Sequence, residues 1–176
     1  RACRAACDWH ERGFDIPVSI NVSVRQLREP TFLDDVRTTL ATTGLAPDKV
    51  VLELTETVLA TNDHGEIDTL HALRALGCRI AIDDFGTGYS SLSELRDLPI
   101  DVVKLDHSFI TGLTTSRRAA AMVEAVIRLA DALDLVVVAE GVEELAQIDA
   151  LAALGCHRLQ GFALFHPMTA DAITAI

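Results

Sequence analysis

The stretch "RIAIDDF", residues 79–85, places an alternating run of apolar residues directly before two acidic side chains. Counted with a period of two, Ala81 and Asp83 share one face of a strand, while Ile80 and Ile82 share the other. One face is therefore wholly apolar, and the other becomes polar at the carboxyl end of the strand. This pattern is expected where helices cover one face of a sheet and a polar site lies beside the other.

Further segments resemble residues 79–85, because they are short, rich in valine and isoleucine, and bounded by turn residues. They are residues 17–23, 50–56, 101–106, 135–142 and 157–162. Helical periodicity is found between them, near residues 27–43, 66–76, 90–97, 116–134 and 143–154, and a last helix is predicted to begin at Thr169. Two of these helices end alike, in "LRALGC" at 73–78 and "LAALGC" at 151–156. Gly77 and Gly155 fit the left-handed position that ends a helix.

This order of strands and helices predicts an α/β fold with parallel strands, either an open sheet or a barrel. An open sheet covered on both faces would make both strand faces apolar, so the polar strand ends favour a TIM-like (β/α) barrel. The predicted barrel is incomplete, with about six parallel strands and the helices outside. A complete barrel needs about 250 residues, whereas this chain has 176. Residues 1–176 are therefore expected to be the C-terminal two-thirds of a single barrel domain whose first two strands are missing.

The charge balance limits the possible partners. The chain has 15 basic and 26 acidic residues and a formal net charge of −11. No run of lysine and arginine interrupts this excess, which argues against a protein that binds duplex nucleic acid. An acidic protein that handles an anionic substrate needs metal cations to reverse the local field. No apolar run approaches the roughly 18 residues of a spanning helix, so a cytoplasmic domain is predicted.

The four cysteines are expected to be reduced thiols, because no CxxC pair is present in a chain that is large enough to fold without disulfides. Cys3, Cys7 and His10 share one face of a predicted helix, a spacing that can hold a soft metal. No fourth ligand is evident, so the favoured interpretation is two small buried residues beside a histidine.

One polar residue at the end of each strand is predicted to point into the barrel. These residues are Asn21, Glu53, Asp83, Lys104, Glu140 and Gln160. Their carboxylate and amide oxygens suit Mg²⁺ or Mn²⁺ rather than zinc, and a lysine suits an anionic substrate. In the same alternation Glu56 and Asp84 fall on the outer face of their strands, just beyond the strand ends. They are expected to hold the loops at the rim, with Asp84 also within reach of a second metal.

Taken singly, each of these residues also has a structural explanation. Asn21 can be a hydrogen-bonded core amide, Gln160 can hold a loop, and the two glutamates can be buried ion-pair partners of Lys104. As a set they favour a metal site, because several carboxylates around one lysine are costly to bury unless cations are bound. The stretch "AIDDFGTGYSS", residues 81–91, lacks the third glycine of a dinucleotide fingerprint, so it predicts a metal site joined to a tight turn.

Five segments carry a resemblance to a known family. They are "SINVSVRQL" (19–27), "LELTE" (52–56), "IDDFGTGYSSLSELRDLPIDVVKLDHSFI" (82–110), "VVVAEGVE" (136–143) and "GCHRLQGFALFHPM" (155–168). In order and spacing they resemble the motifs of the EAL-domain family of cyclic di-GMP phosphodiesterases, over essentially the whole chain. The resemblance implies a TIM-like barrel with an antiparallel first strand, and hydrolysis of cyclic di-GMP to linear pGpG with Mg²⁺ or Mn²⁺.

The resemblance also implies a role for each residue of the predicted site. The implied metal ligands are Asn21, Glu53 and Asp83, with Asp84 binding or bridging to a second metal. Lys104 is expected to contact the attacking water and the phosphate, and Glu140 to act as general base or as a ligand of the second metal. Gln160 would support the water network, and Glu56 would anchor the loop that begins at Phe85 and Gly86. Two cations about 4 Å apart would activate water and stabilise the leaving oxygen.

The chain departs from the family in three places, one of which is Asp134, where the family often has glycine. The Glu-Ala-Leu segment that gives the family its name, with a metal-binding glutamate, precedes "PVSINVS" in the family and is not in this sequence, so an impaired site is expected for the fragment. His107 stands where the family usually has arginine. The resemblance further implies a homodimer through the loop after Asp84 and a neighbouring diguanylate cyclase (GGDEF) or sensory domain.

Two other functions stay open from the sequence. One is a receptor or scaffold that binds cyclic di-GMP or a protein at the same rim without catalysis. The other is a different metal-dependent barrel, such as an enolising enzyme with carboxylate ligands and a lysine base. The second explains the polar strand ends but not the "DDFGTGYSS" loop.

Overall fold

Among the described residues, six parallel strands form one sheet in which the strands follow each other in chain order. The computed structural model describes residues 1–56, 64–87 and 92–174. The strands are β1 (Val18–Asn21), β2 (Val50–Thr55), β3 (Arg79–Phe85), β4 (Val102–Leu105), β5 (Val136–Ala139) and β6 (Arg158–Leu159). The chain returns between successive strands mainly through helices, so the sheet has the βαβ connectivity that the sequence predicts.

The helices are α1 (Ala2–Glu11), α2 (Val24–Leu27), α3 (Phe32–Thr43), α4 (His64–Ala75), α5 (Leu92–Asp97), α6 (His107–Ile110), α7 (Arg117–Ala132), α8 (Leu145–Ala153) and α9 (Ala170–Ile173), with a short 3₁₀ helix at Pro47–Lys49. The helix predicted near 27–43 is confirmed only from Phe32 onward, because α2 ends at Leu27 and α3 begins at Phe32. Pro30 lies between them, and a proline there removes a backbone donor and obstructs the preceding turn. The helix predicted to begin at Thr169 is confirmed, since the Thr169 hydroxyl accepts from the amide of Ala172 at 3.3 Å.

The two faces of the sheet carry separate apolar clusters. The inner cluster consists of Val51, Ala81 and Val102, with Val136 and Val138 packed against it. The outer cluster contains the alternate residues of the same strands, Leu52, Leu54, Ile80, Ile82, Val103 and Leu105, together with apolar residues of the helices. This division confirms the alternation on which the barrel prediction depends.

The two similar helix ends build the same corner twice. Gly77 and Gly155 have φ values of 98° and 89°. After each glycine, the amide of the next cysteine donates to a carbonyl five residues earlier, from Cys78 to Leu73 at 3.2 Å and from Cys156 to Leu151 at 2.9 Å. This bond belongs to the Schellman motif and satisfies a carbonyl that the helix end leaves without a partner.

The sheet forms a half-barrel with helices on its outer side, which confirms the prediction of an incomplete TIM-like barrel with about six parallel strands. Within the described part of the chain, β1 pairs only with β2 and β6 only with β5. Strand β6 is shorter than the predicted residues 157–162, so Gln160 lies just beyond its end. None of the helices in the described ranges is long and apolar enough to cross a membrane.

Candidate metal centre

Lys104 lies at the centre of the predicted site and contacts three carboxylates. Its Nζ atom is 3.0 Å from Glu53 Oε1, 2.9 Å from Asp83 Oδ1 and 2.8 Å from Glu140 Oε1. Lys104 and Glu53 are only 5% and 8% exposed. Since the four side chains come from β2, β3, β4 and the end of β5, the parallel sheet brings together residues that are up to 87 positions apart.

A β-bulge in β3 brings Asp84 to the same site. Ile82 pairs with Val103 and Phe85 with Leu105, so the two aspartates lie opposite the single residue Lys104. Asp84 takes up the extra length with a φ of 54°, a left-handed conformation that few residues other than glycine adopt. The bulge therefore places two consecutive carboxylates at one site, although regular alternation would separate them.

The carboxylates of Asp83, Asp84 and Glu140 converge closely enough to share a cation. One oxygen from each lies within 4.8 Å of the others. Oxygen donors of this kind fit Mg²⁺ or Mn²⁺, and the four carboxylates that include Glu53 outnumber the single ammonium group of Lys104. The donor set thus fits a hard divalent cation.

The electrostatics of the site follow from this crowding. Burial opposes the charge on Lys104, but hydrogen bonds to Asp83, Glu140 and Glu53 raise its pKa above the ordinary value. Burial raises the pKa of Glu140, an effect that Lys104 opposes and Asp83 increases. Burial also raises the pKa of Asp84, and the charges of Asp83 and Asp106 add to it. A bound cation would favour the ionised form of both carboxyls.

The remaining predicted residues lie around this centre. Asn21 is paired in register with Glu53, so both occupy the same level of adjacent strands. Gln160 is exposed, and its backbone N–H donates to the Ala139 carbonyl at 2.8 Å. Glu56 is buried, and its Oε2 accepts from the amide of Gly86 at 3.0 Å, which ties the end of β2 to the loop after β3.

One predicted contact lies mostly outside the described residues. The dimer contact through the loop after Asp84 falls largely on residues 88–91, which lie outside the described ranges, so it stays a prediction.

In the described ranges, Cys3, Cys7 and His10 do not form a group of close ligand atoms. The Cys7 thiol instead donates to the Thr43 carbonyl at 3.1 Å, and His10 Nδ1 lies 3.4 Å from Asp15.

Sequence reasoning missed Asp106, which follows β4 and caps α6. One of its carboxylate oxygens accepts from the Ser108 amide and the other lies near His107 Nδ1, both at 3.0 Å. Although burial acts the other way, these hydrogen bonds lower the pKa of Asp106 to about 2. An aspartate two residues before a serine amide is a usual cap signal, so the sequence "LDHS" could have identified it.

Gly141 is where the strand end that carries Glu140 meets α6. Its φ is 66°, and a Cβ atom added to it would lie 2.4 Å from His107 Cβ.

Gly155 also has a positive φ, but a Cβ atom added there would meet nothing within 4 Å. We expect Gly155→Ala to lower the free energy of unfolding by about 1–2 kcal/mol, the cost of the left-handed conformation alone. Gly141→Ala should lose about 1–3 kcal/mol more through the clash. Urea denaturation of both variants measures the difference, and equal losses would contradict the contact.

Comparison with known proteins places the chain in a family. The sequence profile described as "EAL domain" matches residues 1–167. An uncharacterized signaling protein of Caulobacter vibrioides is 43% identical over 99% of this chain and 21% of its own length. MucR of Pseudomonas aeruginosa, named a bifunctional diguanylate cyclase/cyclic di-GMP phosphodiesterase, is 41% identical over 99% of this chain and 26% of its length. The chain thus spans about a quarter or less of these two relatives.

Solved structures give the same result. The structure of the MucR phosphodiesterase in complex with cyclic di-GMP superposes with a TM-score of 0.90 at 40% identity, over 98% of this chain and 70% of that one. The EAL domain of Mycobacterium smegmatis DcpA superposes with a TM-score of 0.93 at 39% identity, over 99% of this chain and 79% of that one. With the profile match across nearly its whole length, the chain belongs to the EAL-domain family.

Proposed function

We propose that this chain carries the catalytic residues of a metal-dependent phosphodiesterase that hydrolyses cyclic di-GMP to linear pGpG. The observation that supports the proposal most is a group of four carboxylates at the carboxyl ends of the strands, three of which contact Lys104. Active sites of barrels with parallel strands lie at this end. Of the two relatives whose structures superpose on this chain, MucR is named as a cyclic di-GMP phosphodiesterase, and the DcpA structure is named as an EAL domain.

The carboxylates are proposed to hold Mg²⁺ or Mn²⁺. Asp83 and Asp84 would be ligands together with Glu53, and Asn21 would add an amide oxygen from the neighbouring strand. Divalent cations in such a site supply Lewis-acid stabilisation of phosphate oxygens and lower the pKa of water. Because the unpaired negative charge of the centre would repel a phosphodiester, cation binding is also what would allow the substrate to approach.

Lys104 and Glu140 are proposed to act on the reacting groups. The ammonium group of Lys104 would orient the attacking water and stabilise the charge that develops on the phosphate. The carboxylate of Glu140 would accept the proton of that water, and the burial that raises its pKa makes it a better base. Gln160 would hydrogen-bond to water at the site, and Glu56 would fix the loop at Phe85 and Gly86 through its bond to the Gly86 amide.

The full-length protein should convert cyclic di-GMP to linear pGpG in Mg²⁺ or Mn²⁺, and a chelator should stop the reaction. Chromatography of the nucleotides over time measures the conversion. The control is the same protein in Ca²⁺, a poorer match to the close octahedral geometry that Mg²⁺ requires. Binding without hydrolysis in Mg²⁺ and Mn²⁺ would contradict the enzyme and indicate a receptor.

A further inference from the structure

A cavity of about 910 Å³ has Gly141, the residue that follows Glu140, in its wall. It is within the size range of small-molecule sites. Its wall includes His107, Gly141 and Gln160, which connect it to the ends of β4, β5 and β6. Among the described residues that line it, His107 and His166 are the only basic ones. An anionic ligand that extends from the metal centre into this cavity therefore meets a histidine.

His107 is the better placed of the two. The His166 ring is stacked on Phe162, with centroids 4.7 Å apart. His107 instead packs against Gly141, the residue that follows Glu140. His107 thus lies on the cavity wall, next to the end of the strand that carries Glu140.

The hydrogen bond to Asp106 leaves one nitrogen of His107 for a ligand. Nδ1 lies 3.0 Å from Asp106 Oδ2, and a carboxylate accepts but does not donate, so Nδ1 carries a proton. Asp106 is itself fixed by the Ser108 amide. The imidazole is 71% exposed, and in the described part of the chain Nε2 has no hydrogen-bond partner. An oriented ring with one free nitrogen is a typical arrangement for a binding histidine.

We propose that His107 is a ligand-binding residue whose Nε2 accepts a hydrogen bond from a ribose hydroxyl of cyclic di-GMP on the cavity side of the metal centre. The inference rests on the proposed function, because it takes cyclic di-GMP as the ligand. A cyclic dinucleotide has two phosphodiester groups, and the carboxylate site with its cations accounts for one of them. His107 would contact the part of the backbone that extends away from the cations.

Equilibrium binding of cyclic di-GMP to the full-length protein in Ca²⁺ tests this role, with chromatography to verify that the ligand stays intact. His107→Ala should bind about fivefold more weakly, the effect of losing one hydrogen bond between neutral groups. His107→Gln should stay within about twofold of the wild type, because its side-chain oxygen can accept the same hydrogen bond. The matched control is His157→Ala, an exposed histidine before β6, at the opposite end of the sheet.

The possible outcomes separate the two proposals. If the wild type binds and His107→Ala binds equally well, the role of His107 is overturned while the proposed function stands. If His157→Ala loses as much affinity as His107→Ala, the effect is not specific and the role is also overturned. If the wild type does not bind cyclic di-GMP with any divalent cation, the proposed function fails and this inference fails with it.

Discussion

Lys104→Met should lower the free energy of unfolding by about 3–5 kcal/mol when divalent cations are absent, because removing one partner of a buried ion pair leaves uncompensated charge. Here three carboxylates would lose the ammonium group that lies within 3.0 Å of each. Mn²⁺ should restore part of the loss, since a ligand that binds only the folded state stabilises it. Urea denaturation with and without Mn²⁺ measures both effects.

Lys49→Met is the matched control for this variant. Lys49 also forms an ion pair, 2.6 Å from Asp15, but Asp15 is 63% exposed. Solvent screens an exposed pair, which therefore contributes little to stability, so the control should lose little stability and should not respond to Mn²⁺. If Lys104→Met unfolds at the same urea concentration as the control, then Lys104 does not neutralise the carboxylates.

Glu140→Gln should reduce kcat for hydrolysis of cyclic di-GMP by about 10²–10⁴-fold, the usual contribution of a general base. The amide has almost the same shape and can still accept a hydrogen bond from Lys104, so the fold should be kept. Because an amide does not take up the proton of the attacking water, the loss should appear in kcat rather than in binding. Steady-state assays in Mg²⁺, with binding measured separately in Ca²⁺, separate the two quantities.

Glu124→Gln provides the comparison for a glutamate outside the site. Glu124 lies on α7 and pairs with the exposed Arg128 at 2.7 Å. Glu124→Gln should leave turnover within about twofold of the wild type. Surface substitutions usually change stability by about 0.5 kcal/mol or less, so the protein should stay folded and its site unchanged. Turnover by Glu140→Gln at the rate of this control would show that the proton is accepted elsewhere.

The centre of the site could be predicted from sequence because it depends on two regular features. Alternation along a strand selects the residues that face inward, and parallel strands bring their carboxyl ends to one edge. Together these rules place Glu53, Asp83 and Lys104 side by side, as the structure has them. The same alternation predicts the separate inner cluster around Ala81.

The rest depends on local departures from regular geometry. Alternation places Phe85 with Asp83, yet the bulge turns Phe85 into the outer cluster, where it pairs with Leu105. The helix break near Pro30 depends on how one ring fits the preceding turn. Asp106 could be recognised as a cap, but its contact with His107 needs the path of the chain after β4. Of these three features, the bulge depends on pairing between two strands, whereas the helix break and the Asp106 cap are set by neighbouring residues.

The bulge at Asp83 and Asp84 also has a consequence for insertions and deletions. Deleting one of the two codons would restore even pairing between β3 and β4, and it would remove a carboxylate from the site. Every later residue would move one position, so the amide that Gly86 offers to Glu56 would be displaced as well. A deletion at this point is therefore expected to be more damaging than a substitution of either residue, because it displaces the backbone contacts of the following loop as well as removing a carboxylate.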